Sequence, residues 1–326
     1  MLGETFQNVA VNFVSSNPKC VFHSGEVISG EMRFELSKEV KIQKMSMTLK
    51  GKAKFDWSTR SGSGKHRRSR HHSAKLEFFK LDSIVLQAQN DEMVLNRGVH
   101  VYPFSCQIPH GNFPSTFLGI YGKISYAVVF GIHRSWHMAK EFISEFKFER
   151  PVNVDLPELL MPLSASNSRT LCCFCCTSGH ISMDVQMERK GFIPGETIKI
   201  MAEIGNGTSQ RVVLKAELVQ KETYYTKNRG THRIVPKSVV SAMGPAVEPN
   251  TSDVYLELTL PIPEDVYVSM TDCEILDVQH MVRVKLQVRG YSSLETMFPI
   301  VLGSSHLQPV PEEECQPPPY SVAAFM

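Results

Sequence analysis

The chain of 326 residues carries 35 Lys plus Arg against 33 Asp plus Glu, with 42% apolar and 21% charged residues. That composition excludes disorder throughout, and a net charge of +2 supplies no global field toward nucleic acid or anionic lipid, so any such contact has to come from a local patch. No run approaches 18 uninterrupted apolar residues, and the opening residues offer neither a basic leader with an apolar stretch nor a Gly at position 2, so a soluble cytosolic chain without a built-in anchor is expected.

The hydrophobic period is two nearly throughout. Val9/Val11/Phe13 and Met32/Phe34/Leu36 open the series. Between Lys44 and Trp57 the positions Met45, Met47, Leu49, Ala53, Phe55 and Trp57 are apolar, while every even position is charged or hydroxylic, the mark of a long half-buried strand. Ile124/Tyr126/Val128/Phe130 and Phe142/Phe146/Phe148 follow, each bounded by Gly, Pro, Asn or Ser. Alternation resumes at Ile181/Met183/Val185/Met187, Ile198/Ile200/Ala202/Ile204, Val254/Leu256/Leu258/Leu260 and Val282/Val284/Leu286/Val288. No segment of a dozen residues carries a 3.6 period. Many antiparallel strands, each with one apolar and one wet face, require two packed sheets, so the chain reads as all-β sandwich.

The Pro- and Ser-rich stretch from Asp155 to Ser168 has no strand pattern and reads as a connector. The resulting organisation is 1–157 as one sandwich, 158–179 as a linker, 180–303 as a second sandwich and 304–326 as a disordered tail rich in Pro, Glu and Ser. The halves echo each other. His23-Ser24-Gly25-Glu26 before one strand is answered by Ile193-Pro194-Gly195-Glu196 before another, and Phe104 to Pro109 by Leu258 to Pro263, as expected of a duplicated sandwich.

Three segments carry chemistry. Residues 60–75 hold Arg60, Lys65, Arg67, Arg68, Arg70 and Lys75 with His66, His71 and His72 and no acid, and are expected to form a mobile hairpin loop. Its charge suits a solvated loop, anionic headgroups or phosphorylated peptides; the lack of aromatic residues between Ser58 and Lys75 counts against nucleic acid. Cys172, Cys173, Cys175 and Cys176 form overlapping C-x-x-C spacings with His180 close behind. Packing at a domain junction, S-acylation and thiol redox are all open to them, whereas a second C-x-x-C pair for zinc is missing. The remaining cysteines are scattered, so free thiols are expected, and the sequons at Asn206 and Asn250 are expected to stay unglycosylated. In the tail, Pro317-Pro318-Pro319-Tyr320 is a PPxY motif: the prolines hold a polyproline II helix that lies in the aromatic groove of a WW domain, with Tyr320 in the adjoining pocket. No phosphate loop, G-x-S-x-G elbow or His-Glu-x-x-His is present, and neither a catalytic set nor a cofactor is assigned.

Taken together, Phe22 to Gly30, Pro109 through Pro114-Ser115-Thr116-Phe117 to Tyr126, and Leu171 to Glu196 resemble the α-arrestins of the arrestin superfamily over about residues 1–303. That resemblance implies two immunoglobulin-like sandwiches, no enzymatic activity and an adaptor role. The sandwiches would engage transmembrane cargo such as receptors or transporters, and the tail would recruit a HECT-type ubiquitin ligase at the plasma membrane and endosomes. Two departures stand out: many α-arrestins have two PPxY motifs where this tail has one, and no clathrin-binding box is found. A cysteine-based redox or metal sensor, and a coat-like scaffold independent of ubiquitination, are the competing readings.

Overall fold

The computed structural model describes residues 5–14, 20–61, 68–173 and 176–304. The first half contains β1 (Phe6–Val14), β2 (Val21–Phe22), β3 (Val27–Leu36), β4 (Val40–Ile42), β5 (Lys44–Ser61), β6 (Arg68–Gln87), β7 (Met93–Leu95), β8 (Gly98–Gln107), β9 (Phe117–Gly119), β10 (Gly122–Arg134) and β11 (His137–Phe148). A single helical turn, α1 (Pro157–Leu160), leads to the second half. There follow β12 (Leu163–Cys173), β13 (Cys176–Met187), β14 (Gly191–Phe192), β15 (Thr197–Asn206), β16 (Val212–Tyr225), β17 (His232–Val247), β18 (Thr251–Pro261), β19 (Met270–Cys273), β20 (Leu276–Val288) and β21 (Leu294–Leu302).

Two sandwiches of matching topology result. In the first, β1-β3-β8 faces the sheet β2-β11-β10-β5-β6, with β9 added on β10. In the second, β12-β13-β15-β18 faces β14-β21-β20-β16-β17, with β19 added on β20. Even the rare parallel pairings repeat, β2 on β11 and β14 on β21. The sequence echo at Gly25 and Gly195 is the same turn built twice. Both glycines take the left-handed backbone, φ 81° and 92°. In each turn the following glutamate accepts the N–H of the residue three before it: Glu26 from His23 and Glu196 from Ile193, both at 2.8 Å.

The alternation read from sequence becomes core. Met45, Met47, Leu49, Ala53, Phe55 and Trp57 of β5 are all buried, as are Ile181, Met183, Val185 and Met187 of β13. One expectation is corrected: residues 163–173 are not connector but β12, paired with β13 from Leu163↔Met187 onward. As an edge strand it buries Leu171 and half-buries Leu163, Ala165 and Asn167, the last through a bond from Nδ2 to the Glu295 carbonyl, and Asn167 and Arg169 interrupt what would otherwise be an apolar row.

The first sandwich's core does not stop at its own residues. Tyr224, Met270, Cys273, Ile275, Leu276 and Val278 of the second half belong to the same buried cluster. At this seam Tyr224 lies 5.1 Å from Phe55 and 5.2 Å from Tyr121, ring centre to ring centre, and Tyr267 lies 4.7 Å from Phe117. Gly119 is required here, because a Cβ would collide with the Tyr224 hydroxyl. Tyr267 also bonds the Leu118 backbone at both N–H (3.2 Å) and C=O (3.3 Å), and Arg150 pairs with Asp272 across the seam. The tail position 305–326, including Pro317, Pro318, Pro319 and Tyr320, lies outside the described residues.

Candidate functional site

The basic segment is built on strands rather than on a loop. β5 runs to Ser61 and β6 starts at Arg68, in unbroken antiparallel register from Lys54↔Lys75 to Ser61↔Arg68. Lys65 and Arg67, with His66, lie outside the described residues. The ladder extends this far because its base is packed. Trp57 and His72 are directly opposed and stacked at 5.5 Å, both buried, and Thr59 Oγ1 meets His72 Nε2 at 2.9 Å.

Cross-strand partners share a face, so the ladder sorts the cations into two sets. Arg70 pairs with Thr59, and Arg68 two residues before it shares the face of Trp57 and His72. Arg60 and Lys75 are on the opposite, outer face. There Lys75, Lys54 and Lys123 form one row across β6, β5 and β10. Like charges directly opposite one another repel, and the fold relieves only part of this: Lys54 pairs with Asp56 at 3.2 Å and Lys123 with Glu145 at 2.6 Å. His71 adds a second contact to Asp56 at 3.7 Å. A hydrogen bond from Ser73 and this cationic company hold the Asp56 carboxyl below the usual aspartate range. Among the described residues Arg60, Arg68, Arg70 and Lys75 have no ion pair. The outer face is therefore suited to spread anionic charge rather than to a single buried anion.

The cysteine cluster is at a hairpin and not in a linker. Cys172 and Cys173 end β12, Cys176 begins β13, and Cys173 stands opposite Cys176 in the ladder. Phe174 and Cys175 lie outside the described residues, as do the side chains of the other three cysteines. His180 follows on β13 and is exposed. Elsewhere Cys20, Cys106 and Cys273 are free thiols, and burial pushes the Cys106 and Cys273 thiols up, away from reactivity. Among the described residues no three His, Cys, Asp or Glu side chains converge as metal ligands.

The departure point of the tail is well defined. Ser304 donates its N–H to Val152 O at 3.1 Å and accepts from Val152 N on Oγ at 2.9 Å, which ties the end of the second sandwich to the end of the first. Beside it opens a cleft of about 390 Å³ lined by residues of both halves, including Thr116, Lys147, Val266, Tyr267 and Ser304. None of the seam residues Tyr121, Tyr224 and Tyr267 stands out in the sequence, because the ring each packs against is more than 90 residues away.

Among the described residues, no helix is long and apolar enough to cross a membrane. Residues 11–155 match the family model of the arrestin (or S-antigen) N-terminal domain, and residues 177–307 that of the arrestin (or S-antigen) C-terminal domain. The chain is 30% identical over 294 residues to arrestin domain-containing protein 4 of Mus musculus, covering 88% of this chain and 69% of the relative. The Homo sapiens protein of that name is 28% identical over 293 residues, with the same coverage. Thioredoxin-interacting protein of Rattus norvegicus is 26% identical over 297 residues, covering 89% of this chain and 73% of the relative.

Proposed function

Since the chain belongs to the α-arrestin family, we propose that it is a trafficking adaptor whose sandwiches hold membrane-protein cargo while Pro317-Pro318-Pro319-Tyr320 recruits a WW-domain HECT-type ubiquitin ligase. The observation that carries this reading is the pairing of two arrestin domains with a PPxY motif thirteen residues beyond Ser304, the last of the described residues, which is bonded to Val152. The mechanism is proximity, which asks no catalytic step of this chain. Thirteen residues span at most about 45 Å when extended and about 20 Å as a coil, enough to keep a docked ligase beside cargo held by either sandwich. Cargo so marked is ubiquitinated, internalised and sorted, with the adaptor drawn from the cytoplasm to the plasma membrane and endosomes. One short motif binds at about micromolar strength, so occupancy depends on multivalent WW domains or on clustering.

A titration of a multi-WW ligase fragment with the full chain, with Tyr320→Ala and with a chain ending at Ser304 tests the reading. Micromolar or tighter binding by wild type, lost in both variants, is expected. Equal behaviour of all three would remove the ligase from the account. Thiol-based regulation is a second reading, favoured by Cys173 standing opposite Cys176 and by a relative named for interaction with thioredoxin. Thiol counting before and after mild oxidation, with zinc analysis, decides it: unreactive thiols and no zinc exclude it.

A further inference from the structure

The turn joining β10 to β11 is Ser135-Trp136, closed by the Arg134 and His137 pair. Trp136 has φ 60°, the left-handed region where a bulky side chain is strained and glycine is the usual occupant. Its side chain is 101% exposed and that of Met138 is 93% exposed, the two most exposed large apolar side chains among the described residues. The fold thus gains nothing from placing an indole here: the side chain buries no area, and the backbone the turn imposes on it is unfavourable. A residue with no return inside the molecule has its use outside it.

The surroundings identify the occupant. From Ile132 to its cross-strand partner Lys140 the tip carries His133, Arg134, His137 and Lys140 and no carboxylate, the nearest on the hairpin being Glu141 opposite Gly131. Glu92, on the approach to β7, is already engaged by Ser135 Oγ at 2.5 Å and by Lys41 at 3.8 Å. Lys140 sits over the Phe6 and Phe142 rings, a fixed cation behind the tip. A Trp hot spot in a protein interface needs a surrounding ring of contacts that excludes water, and a bare two-residue turn provides no such wall. A bilayer interface needs none: it encloses the indole from all sides, satisfies its N–H at headgroup depth and favours neighbouring cations.

We infer that the β10–β11 tip is a membrane-interface anchor, with Trp136 and Met138 entering the headgroup region of an anionic phospholipid bilayer beside Arg134 and His137. The contact is weak by itself and adds to whatever cargo provides. It uses none of the residues of the ligase reading and stands or falls separately from it.

The test uses the full chain and vesicles of phosphatidylcholine mixed with phosphatidylserine. With Trp57→Phe leaving one indole, Trp136 emission shifts to the blue on vesicle addition and is quenched by brominated acyl chains. In cosedimentation, which needs no change at Trp57, Trp136→Gly combined with Met138→Ser weakens partitioning about tenfold or more. Trp136→Gly relieves the backbone, so its melting temperature is no lower than wild type, which separates lost binding from lost folding. Unchanged partitioning of the double variant overturns the assignment, as does a Trp136 spectrum that stays that of an indole in water while the protein is vesicle-bound. Saturable binding of the tip to a purified protein, with no response to vesicles, overturns it as well.

Discussion

His280 makes the second sandwich sensitive to acid. It lies on β20, 1% exposed, between Gln220 of β16 and Ile300 of β21. Nδ1 meets Ser269 Oγ at 3.0 Å, but the buried Nε2 has no partner. Ser269 in turn accepts the Leu302 N–H, so the imidazole supports the strand end from which the tail leaves. The carboxylate two residues along β16, Glu222, is taken up by Gln220 and Tyr224 rather than by the histidine. Burial lowers the His280 pKa from 6.5 to about 4. The unfolded chain therefore takes up the proton first as pH falls. Above the unfolded value the histidine costs nothing; between the two values its penalty grows as pH falls, and below the folded value the penalty levels off at about 3 kcal/mol. About 2 kcal/mol of that is reached by pH 5. His280→Gln keeps a polar group for Ser269 and cannot titrate. In urea unfolding of the full chain at pH 7 and pH 5, the gap between wild type and variant should change by about 2 kcal/mol in favour of the variant at the lower pH. Parallel losses in the two proteins would show that the imidazole is already charged in the fold and refute the reasoning.

Two further perturbations address the buried polar groups. Tyr224→Phe removes the hydroxyl that donates to Glu222, a carboxylate only 6% exposed, and should cost about 1–3 kcal/mol; adding Glu222→Gln should return part of it, and a Tyr224→Phe protein melting with wild type would contradict the bond. Asn206, fully buried, donates to the carbonyls of Gln210, Val247 and Glu248 and accepts from Thr208, so Asn206→Ala should lower stability by about 3 kcal/mol in thermal melts. For the same reason, a chain routed experimentally through the secretory pathway should carry no glycan at Asn206, which glycopeptide mass spectrometry would reveal.

What was legible in the sequence is what has one wet face. β5 and β13 declare themselves because their alternate residues meet water, and the duplicated Gly-Glu turns because glycine and a capping acid are both visible as letters. β16 is silent for the opposite reason. It is the second strand from the edge, and Glu217, Gln220, Glu222 and Thr223 are all buried among its apolar residues. Glu217 is tolerated there because Lys215 and Arg283 bond it, at 2.7 and 2.6 Å, and hold its carboxyl below the usual range. Half of that compensation, Arg283, comes from a strand 66 residues away and leaves no local pattern. The basic segment was visible as composition, but its division between two faces depends on register, which composition does not encode. Trp136 does not stand out in the sequence, because an aromatic between alternating residues reads as core; only the turn geometry turns it outward.

The core shared across the seam has a consequence for synthesis. The first sandwich is complete at about residue 155, yet the second-half residues that cap its apolar end run from Tyr224 to Val278. At roughly 5–20 residues per second, about 6–25 seconds pass between the two events on the ribosome. During that interval Phe55 and Phe117 wait at an uncovered end. The nascent first half is thus a client for chaperones until its own C-terminal relative arrives, and a message truncated between the sandwiches would release a fragment prone to aggregate rather than a stable half-molecule.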